Sequence, residues 1–219
     1  MIDWPLIDTV FLDMDGTLLD LKFDNFFWRR YLVGVYAQNQ AISLSEAQNL
    51  ILKKYLSCEN TLNWYCTDYW SQELGLNVIE LKRQVADQIS LRHQAIEFLQ
   101  FIQHQSKRML LVTNAHPDTV KIKLDQTGID KYMDSVVSSH DIGRPKEDPT
   151  FWQQLEDLEP FNSEHTCLID DNTAVLNSAK QYGIKHLYSI KQPDSSRPPN
   201  HQQGFPAIDD FAEIISPIF

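Results

Sequence analysis

The chain has 219 residues, 42% apolar and 22% charged, which suits one large domain or one and a half and can bury a sizeable core. A formal charge of −11 and the lack of a basic stripe exclude a nucleic-acid polymer as partner, though not a small phosphorylated ligand held by a local cation. Apolar runs are short and no basic leader precedes one, so neither a signal peptide nor a membrane span is expected. Three cysteines without CxxC spacing suit a reduced, cytoplasmic protein.

Thr9 to Leu12 reads as a strand buried on both faces. Asp13, Asp15, Gly16 and Thr17 follow at once, where open α/β sheets put their chemistry, beyond the strand's carboxyl end. Residues 19–88 lose strand-like runs and take helical spacing. Phe27, Tyr31, Val35 and Gln38 follow one edge of a first helix, with Phe23 leading in. Ser43 and Glu46 form a capping-box pattern for a second, lined by Ala47, Leu50, Ile51 and Tyr55. Leu62, Cys66, Trp70 and Leu74 predict one continuous third helix stopped by Gly75, and Val78 to Ile89 a fourth.

From Leu91 helices and strands alternate. Ala95–Gln103 is a helix, and Met109–Val112 a strand ending in Thr113-Asn114. Pro117–Gln126 is a helix, Asp134–Ser138 a strand, and Gly143–Lys146 a loop before a helix begun by Asp148-Pro149. Thr166–Ile169 is a strand ending in Asp170-Asp171-Asn172. A helix over Thr173–Tyr182 and a strand over His186–Ile190 follow. Residues 192–206 read as a proline-rich surface loop, and Ala207–Ile215 as a closing helix. The expected fold is a Rossmann-like parallel α/β core, residues 1–18 and 89–219, with residues 19–88 as a helical cap.

Asp13 and Asp15 alternate to one side of an extended chain, with Met14 opposite. Such close carboxylates repel unless a positive charge intervenes, and hard cations take oxygen ligands. Thr113-Asn114, Lys146 and Asp170-Asp171 each follow a strand or its loop, so all can reach the same sheet edge. Any one alone is an ordinary cap, solvated lysine or turn; the ordered combination is not. Zinc is not expected, because the seven histidines lack HxxxH and HExxH spacing. Cys58, Cys66 and Cys167 read as core.

In this order, DxDGT, hydrophobic-Thr-Asn, Pro-Lys and hydrophobic-Asp-Asp resemble the four motifs of the haloacid-dehalogenase-like hydrolase superfamily. The helical insert after the first strand is similar to its first cap type. DMDGTLLDLKFDNFFW, LNWYCTDYW, VTNAHPDTVKIKLDQTGID, GRPKEDPTFW and LIDDNTAVLNSAKQYGI resemble the GMP/IMP 5′-nucleotidase branch. The resemblance implies Asp13 as nucleophile and Asp15 as general acid/base, an acid that dehalogenase members lack. It implies Mg²⁺ on Asp13, the Asp15 carbonyl and Asp170, and phosphate held by Thr113, Asn114 and Lys146. Asp171 and Thr17 are expected in support, Thr17 orienting Asp15. No basic residue except Lys146 need enter the site.

The cap is rich in aromatic rings, most of them on helical stripes that read as core. On a continuous third helix Trp64 falls about 200° from Leu62, away from the apolar stripe and free to stack on a base. Trp28 and Asp24 offer a ring and an acceptor for a guanine edge. The expected substrate is therefore a purine nucleoside monophosphate. A sugar-phosphate phosphatase or phosphomutase on the same scaffold is the alternative, with a catalytically silent binding protein behind it.

Overall fold

A strand of four buried residues with an acid at its end needs neighbours on both edges and cover on both faces. The computed structural model describes residues 2–59, 61–199 and 204–215, and gives β1 (Thr9–Leu12) both. It lies between β2 (Arg108–Thr113) and β4 (Thr166–Asp170). β3 (Ser135–Ser138) flanks β2, and β5 (His186–Ile190) and β6 (Ala207–Ile208) complete the order β3-β2-β1-β4-β5-β6. Every pairing is parallel.

Side chains alternate across the sheet, dividing the core in two. Val10, Leu12, Met109, Leu111, Cys167 and Ile169 face the helical insert and two core helices, α7 (Ala95–His104) and α8 (Pro117–Thr127). Phe11, Leu110, Val112 and Leu168 face α10 (Pro149–Leu158) and α11 (Thr173–Tyr182), packing on Phe151, Trp152, Val175 and Leu176. A short helix, α9 (Ser139–Ile142), precedes the Gly143–Lys146 loop and is capped by Ser138 and Asp141; at four residues it is too short to show a periodic pattern.

The insert holds α1 (Lys22–Phe26), a π-turn at Phe27–Tyr31, α2 (Leu32–Gln40), α3 (Leu44–Cys58), α4 (Leu62–Tyr65), α5 (Thr67–Leu74) and α6 (Val78–Gln84). It departs from the expected helices in four places. The π-turn inserts one residue into the first helix, so the buried edge runs Phe23, Phe27, then Leu32, Val33 and Ala37 rather than through Val35. In α3 the Ser43 hydroxyl caps Glu46 N–H at 3.2 Å, and Ala47 and Ile51 are buried, but Leu50 is 39% exposed. The expected third helix is two, broken at Cys66, whose extended backbone lets its sulfur accept from Tyr69 N–H at 3.4 Å and cap α5. The fourth ends at Gln84 and continues as a 3-10 turn, Ala86–Gln88.

The connectors of the insert run side by side: Leu19 pairs antiparallel with Leu91, Asp20 N–H donates to Ser90 O, and Arg92 N–H to Leu18 O. At the far end the expected closing helix is absent. Ala207–Ile208 pairs with β5 instead, extending its otherwise open edge, and a 3-10 turn at Phe211–Glu213 stacks Phe211 on Phe98 at 4.6 Å. Within the proline-rich loop, residues 200–203 lie outside the described residues.

Candidate active site

Register builds the site. Leu12 is level with Leu111 on one side and Ile169 on the other, so the next residues, Asp13, Val112 and Asp170, fall in one layer at the carboxyl edge of the sheet. The Lys146 ammonium closes that layer, donating to Asp13 Oδ1 at 2.5 Å, Val112 O at 2.8 Å and Asp170 Oδ2 at 2.7 Å. All three of its donor hydrogens are used, and the side chain is 2% exposed. Asp171 brings a third carboxylate; one oxygen from each of Asp13, Asp170 and Asp171 lies within 4.8 Å of the others.

Three carboxylates face one ammonium here. Burial first, with Asp170 adding, lifts Asp13 to about 7 against the pull of Lys146. Burial, then Asp13 and Asp170, holds Asp171 well above the ordinary carboxylate range. Burial lowers Lys146, but Asp13 and Asp170 more than reverse it and hold the amine charged. The cluster is short of positive charge, and its donors are all hard oxygens, so the residues present fit a divalent cation such as Mg²⁺.

Asp15 stands apart from that cluster. Its chain turns at Gly16, where φ is +85° and an added Cβ would meet Asp171 Oδ2 at 2.4 Å. Only glycine supplies that conformation and that close approach. Lys123 of α8 donates to Asp15 Oδ1 at 2.5 Å and to Asp24 Oδ2 at 2.6 Å. Lys82 of α6 reaches the other Asp24 oxygen at 3.2 Å and lies 4.6 Å from the Phe27 ring centroid. Burial, then Asp24, raises Asp15 to about 6, with Lys123 opposing.

This network differs from the expected site in three respects. Lys123 is a second cation at the site. Asp24 lines the cleft with each of its oxygens accepting from a lysine. Thr17 does not orient Asp15: its hydroxyl is buried and has no hydrogen-bond partner among the described residues. Lys123 and Lys82 were findable, since each follows a buried apolar residue by three or four positions on its helix, Val120 and Val78, and so sits on the inward stripe.

The remaining expected residues converge. Thr113 Oγ1 accepts from Ala115 N–H at 3.1 Å, leaving its own proton to donate. Asn114 Oδ1 takes Lys146 N–H at 2.9 Å, and its Nδ2 donates to Glu147 Oε2 at 2.9 Å. Glu147, unflagged by the motifs, also accepts from Asn172 Nδ2 at 3.0 Å and from the Tyr65 hydroxyl at 2.6 Å, tying the insert to the core.

A cleft of about 780 Å³ opens over these groups, walled by Trp28, Trp64, Tyr65 and Trp70. Trp64 reaches it for a different reason from the one expected. The chain breaks just after α4, so the ring is set by that short helix, edge-on to Tyr55 at 5.6 Å, with Trp64 O accepting from Trp70 Nε1 at 2.9 Å. Trp28 packs edge-on against Trp70 at 6.1 Å.

A second cluster lies beside the cleft. Cys66, His116 and His140 bring one ligand atom each within 4.8 Å of one another. Cys66 is half-buried rather than core, whereas Cys58 and Cys167 are buried as expected. The contributors are 50 and 24 residues apart in sequence, so spacing rules for zinc motifs could not reveal them.

Known proteins resemble this chain in sequence and in fold. A family model described as haloacid dehalogenase-like hydrolase matches residues 7–183. The GMP/IMP nucleotidase YrfG of Escherichia coli (strain K12) is 37% identical over 214 residues, 98% of this chain and 96% of that protein. A HAD phosphatase from Thermococcus onnurineus superposes with a TM-score of 0.79 at 18% identity, over 95% of this chain and 96% of the other. A magnesium-bound HAD-hydrolase, YfnB of Bacillus subtilis, does so with a TM-score of 0.65 at 18% identity, over 95% and 96%. The chain belongs to the haloacid dehalogenase-like hydrolases.

Proposed function

We propose that the protein is a Mg²⁺-dependent phosphomonoester hydrolase whose substrates are purine nucleoside 5′-monophosphates, GMP and IMP foremost. The observation that carries the chemistry is the layer in which Lys146 joins Asp13 and Asp170, with Asp15 on its own lysine one turn away.

Asp13 attacks phosphorus through one carboxylate oxygen, and the bond to the ester oxygen breaks. Asp15 gives its proton to the departing alkoxide, then takes one from the water that cleaves the aspartyl-phosphate, which returns Asp13 and releases phosphate. Lys146 offsets the repulsion between Asp13 and the dianionic phosphate, and Thr113 Oγ1 and Asn114 N–H hold its non-transferring oxygens. Asp13, the Asp15 carbonyl and Asp170 would hold Mg²⁺, with Asp171 in support. The bound ion supplies the positive charge that this cluster lacks.

We assign residues 19–88 to a cap and residues 1–18 and 89–219 to the core, the cap closing on paired connectors to exclude water. Trp28 and Trp64 are the rings that a flat base would meet, and the 37%-identical nucleotidase supports that substrate class. Its three unpaired cysteines support a reducing, cytoplasmic setting, and no helix among the described residues is long and apolar enough to cross a membrane. Phosphate release from nucleoside monophosphates and hexose phosphates, with Mg²⁺ present, tests the reading. GMP and IMP are expected to lead in kcat/KM; a lead by hexose phosphates replaces the nucleotidase with a sugar-phosphate phosphatase.

A further inference from the structure

Three of the least Mg²⁺-like ligands in the chain meet where the helical insert touches the sheet. Cys66 comes from the break between α4 and α5. His116 follows the β2 loop and caps α8, and His140 lies in α9 beyond β3. The two imidazoles stand edge to face, centroids 4.8 Å apart. His140 Nε2 is buried and has no hydrogen-bond partner among the described residues. A buried ring nitrogen left without a partner costs free energy unless something ligates it.

We propose that Cys66, His116 and His140 form a binding site for Zn²⁺, distinct from the carboxylate site, and that the bound metal staples the insert to the core and slows turnover. Sulfur with two imidazoles is a donor set that selects zinc over magnesium. Asp68 supplies the fourth ligand, its Oδ2 lying 3.7 Å from His116 Nε2 on an 80% exposed side chain free to swing in. The polar surroundings suit the ion. Tyr69 N–H points at the Cys66 sulfur from the first turn of α5, fixing where the ligand atom sits. His116 Nδ1 accepts from Asp118 N–H at 3.4 Å, with Asp118 Oδ2 at 3.8 Å; metal on Nε2 moves the ring proton to Nδ1, which exchanges that cap for a bond to the carboxylate. Zinc bonds of 2.0–2.3 Å set tetrahedral ligand atoms about 3.3–3.6 Å apart. From a spread of at most 4.8 Å, closing on the ion takes a movement of about 1 Å.

The mechanical consequence follows from sequence. Trp64 and Tyr65, which wall the cleft, immediately precede Cys66. His116 lines the cleft from the other side, two residues beyond Asn114. Metal across this seam fixes the wall against the phosphate loop, so substrate entry and product exit slow while the carboxylates stay loaded with Mg²⁺.

The test uses the Mg²⁺-saturated full chain and two variants, Cys66→Ser and His140→Gln, neither of which lines the cleft. Equilibrium dialysis should find one tight Zn²⁺ per chain in excess Mg²⁺. Co²⁺ in its place should show sulfur-to-cobalt charge transfer and tetrahedral d–d bands. Each variant should keep its Mg²⁺-supported kcat and bind Zn²⁺ about 100-fold more weakly or worse, since even an outer partner of a metal ligand is worth 10–100-fold. In the wild type, filling the site should lower kcat, and a chelator that spares Mg²⁺ should restore it; both variants should resist. Equal Zn²⁺ affinity in Cys66→Ser, absence of the sulfur-to-cobalt band, or unchanged kcat with the site filled would each overturn the proposal.

Discussion

Replacing Lys123 with Met isolates what that lysine does for Asp15. Lys123 is 1% exposed and holds Asp15 Oδ1 at 2.5 Å and Asp24 Oδ2 at 2.6 Å. Asp15 stands at about 6 because burial, Asp24 and Asp13 raise it while Lys123 alone pulls it down. A hydrogen bond to a charged partner is worth about 1.5–3 kcal/mol, and one pH unit is 1.36 kcal/mol. Without Lys123 the protonated form of Asp15 is favoured, so the acidic limb of the pH–kcat profile should move up by about one to two pH units. Below that limb Asp15 stays protonated and cannot take a proton from the hydrolytic water.

The variant should also lose about 3–5 kcal/mol of stability, the usual cost of breaking a buried pair, because Asp24 keeps only Lys82. Adding Asp24→Asn removes the stranded negative charge, and should recover much of that stability and bring the limb back toward wild type. The assay is kcat against pH for GMP, with urea melts of all three proteins. An unmoved limb in folded Lys123→Met would refute the role given to Lys123.

Other perturbations test other parts. Gly16→Ala forces a side chain into φ +85° and against Asp171; it should cost about 1–2 kcal/mol from the backbone alone and lower kcat, read by urea melts and turnover. Metal-free protein should lose thermal stability between about pH 4 and pH 7. Asp13 and Asp15 titrate at about 7 and about 6 folded against 3.8 for the free side chain, so the folded state holds extra protons in that window and stability falls as they leave. Lys146, held charged, adds a loss in the same direction only at far higher pH, above the ordinary lysine range, and saturating Mg²⁺ should flatten the fall between pH 4 and pH 7; a melting temperature that rises across that window without metal would contradict this. Trp64→Ala should lower kcat/KM for GMP by about five- to 150-fold, the worth of one stacked base, and leave p-nitrophenyl phosphate unchanged.

The sheet and its catalytic edge were legible because their signals are local. A buried run ending in DxDGT, and Thr-Asn, Pro-Lys and Asp-Asp after further strands, put each polar group at a strand end, and parallel pairing does the rest. What escaped depends on backbone detail or long-range meeting. The π-turn at Phe27–Tyr31 and the break at Cys66 shift helical faces by amounts that periodicity assumes away. β6 is two residues whose strand character comes from the β5 edge rather than their own sequence. Glu147 and the Cys66–His116–His140 cluster join segments far apart in the chain, and short-range spacing carries no trace of them; Lys123 meets its partners across the same distances. Lys123 alone left a hint, a charge on an inward stripe.

The central claim is that Asp13 becomes covalently phosphorylated. Its most direct test is rapid acid quench of Mg²⁺-loaded enzyme turning over GMP labelled in its phosphate, followed by mapping of the label. The label is expected on the peptide bearing Asp13, at a level set by the balance of formation and hydrolysis. It should be absent from Asp13→Asn, which should bind phosphate yet turn over at least about 100-fold more slowly. An unlabelled wild-type peptide together with near wild-type turnover by Asp13→Asn would contradict the covalent mechanism.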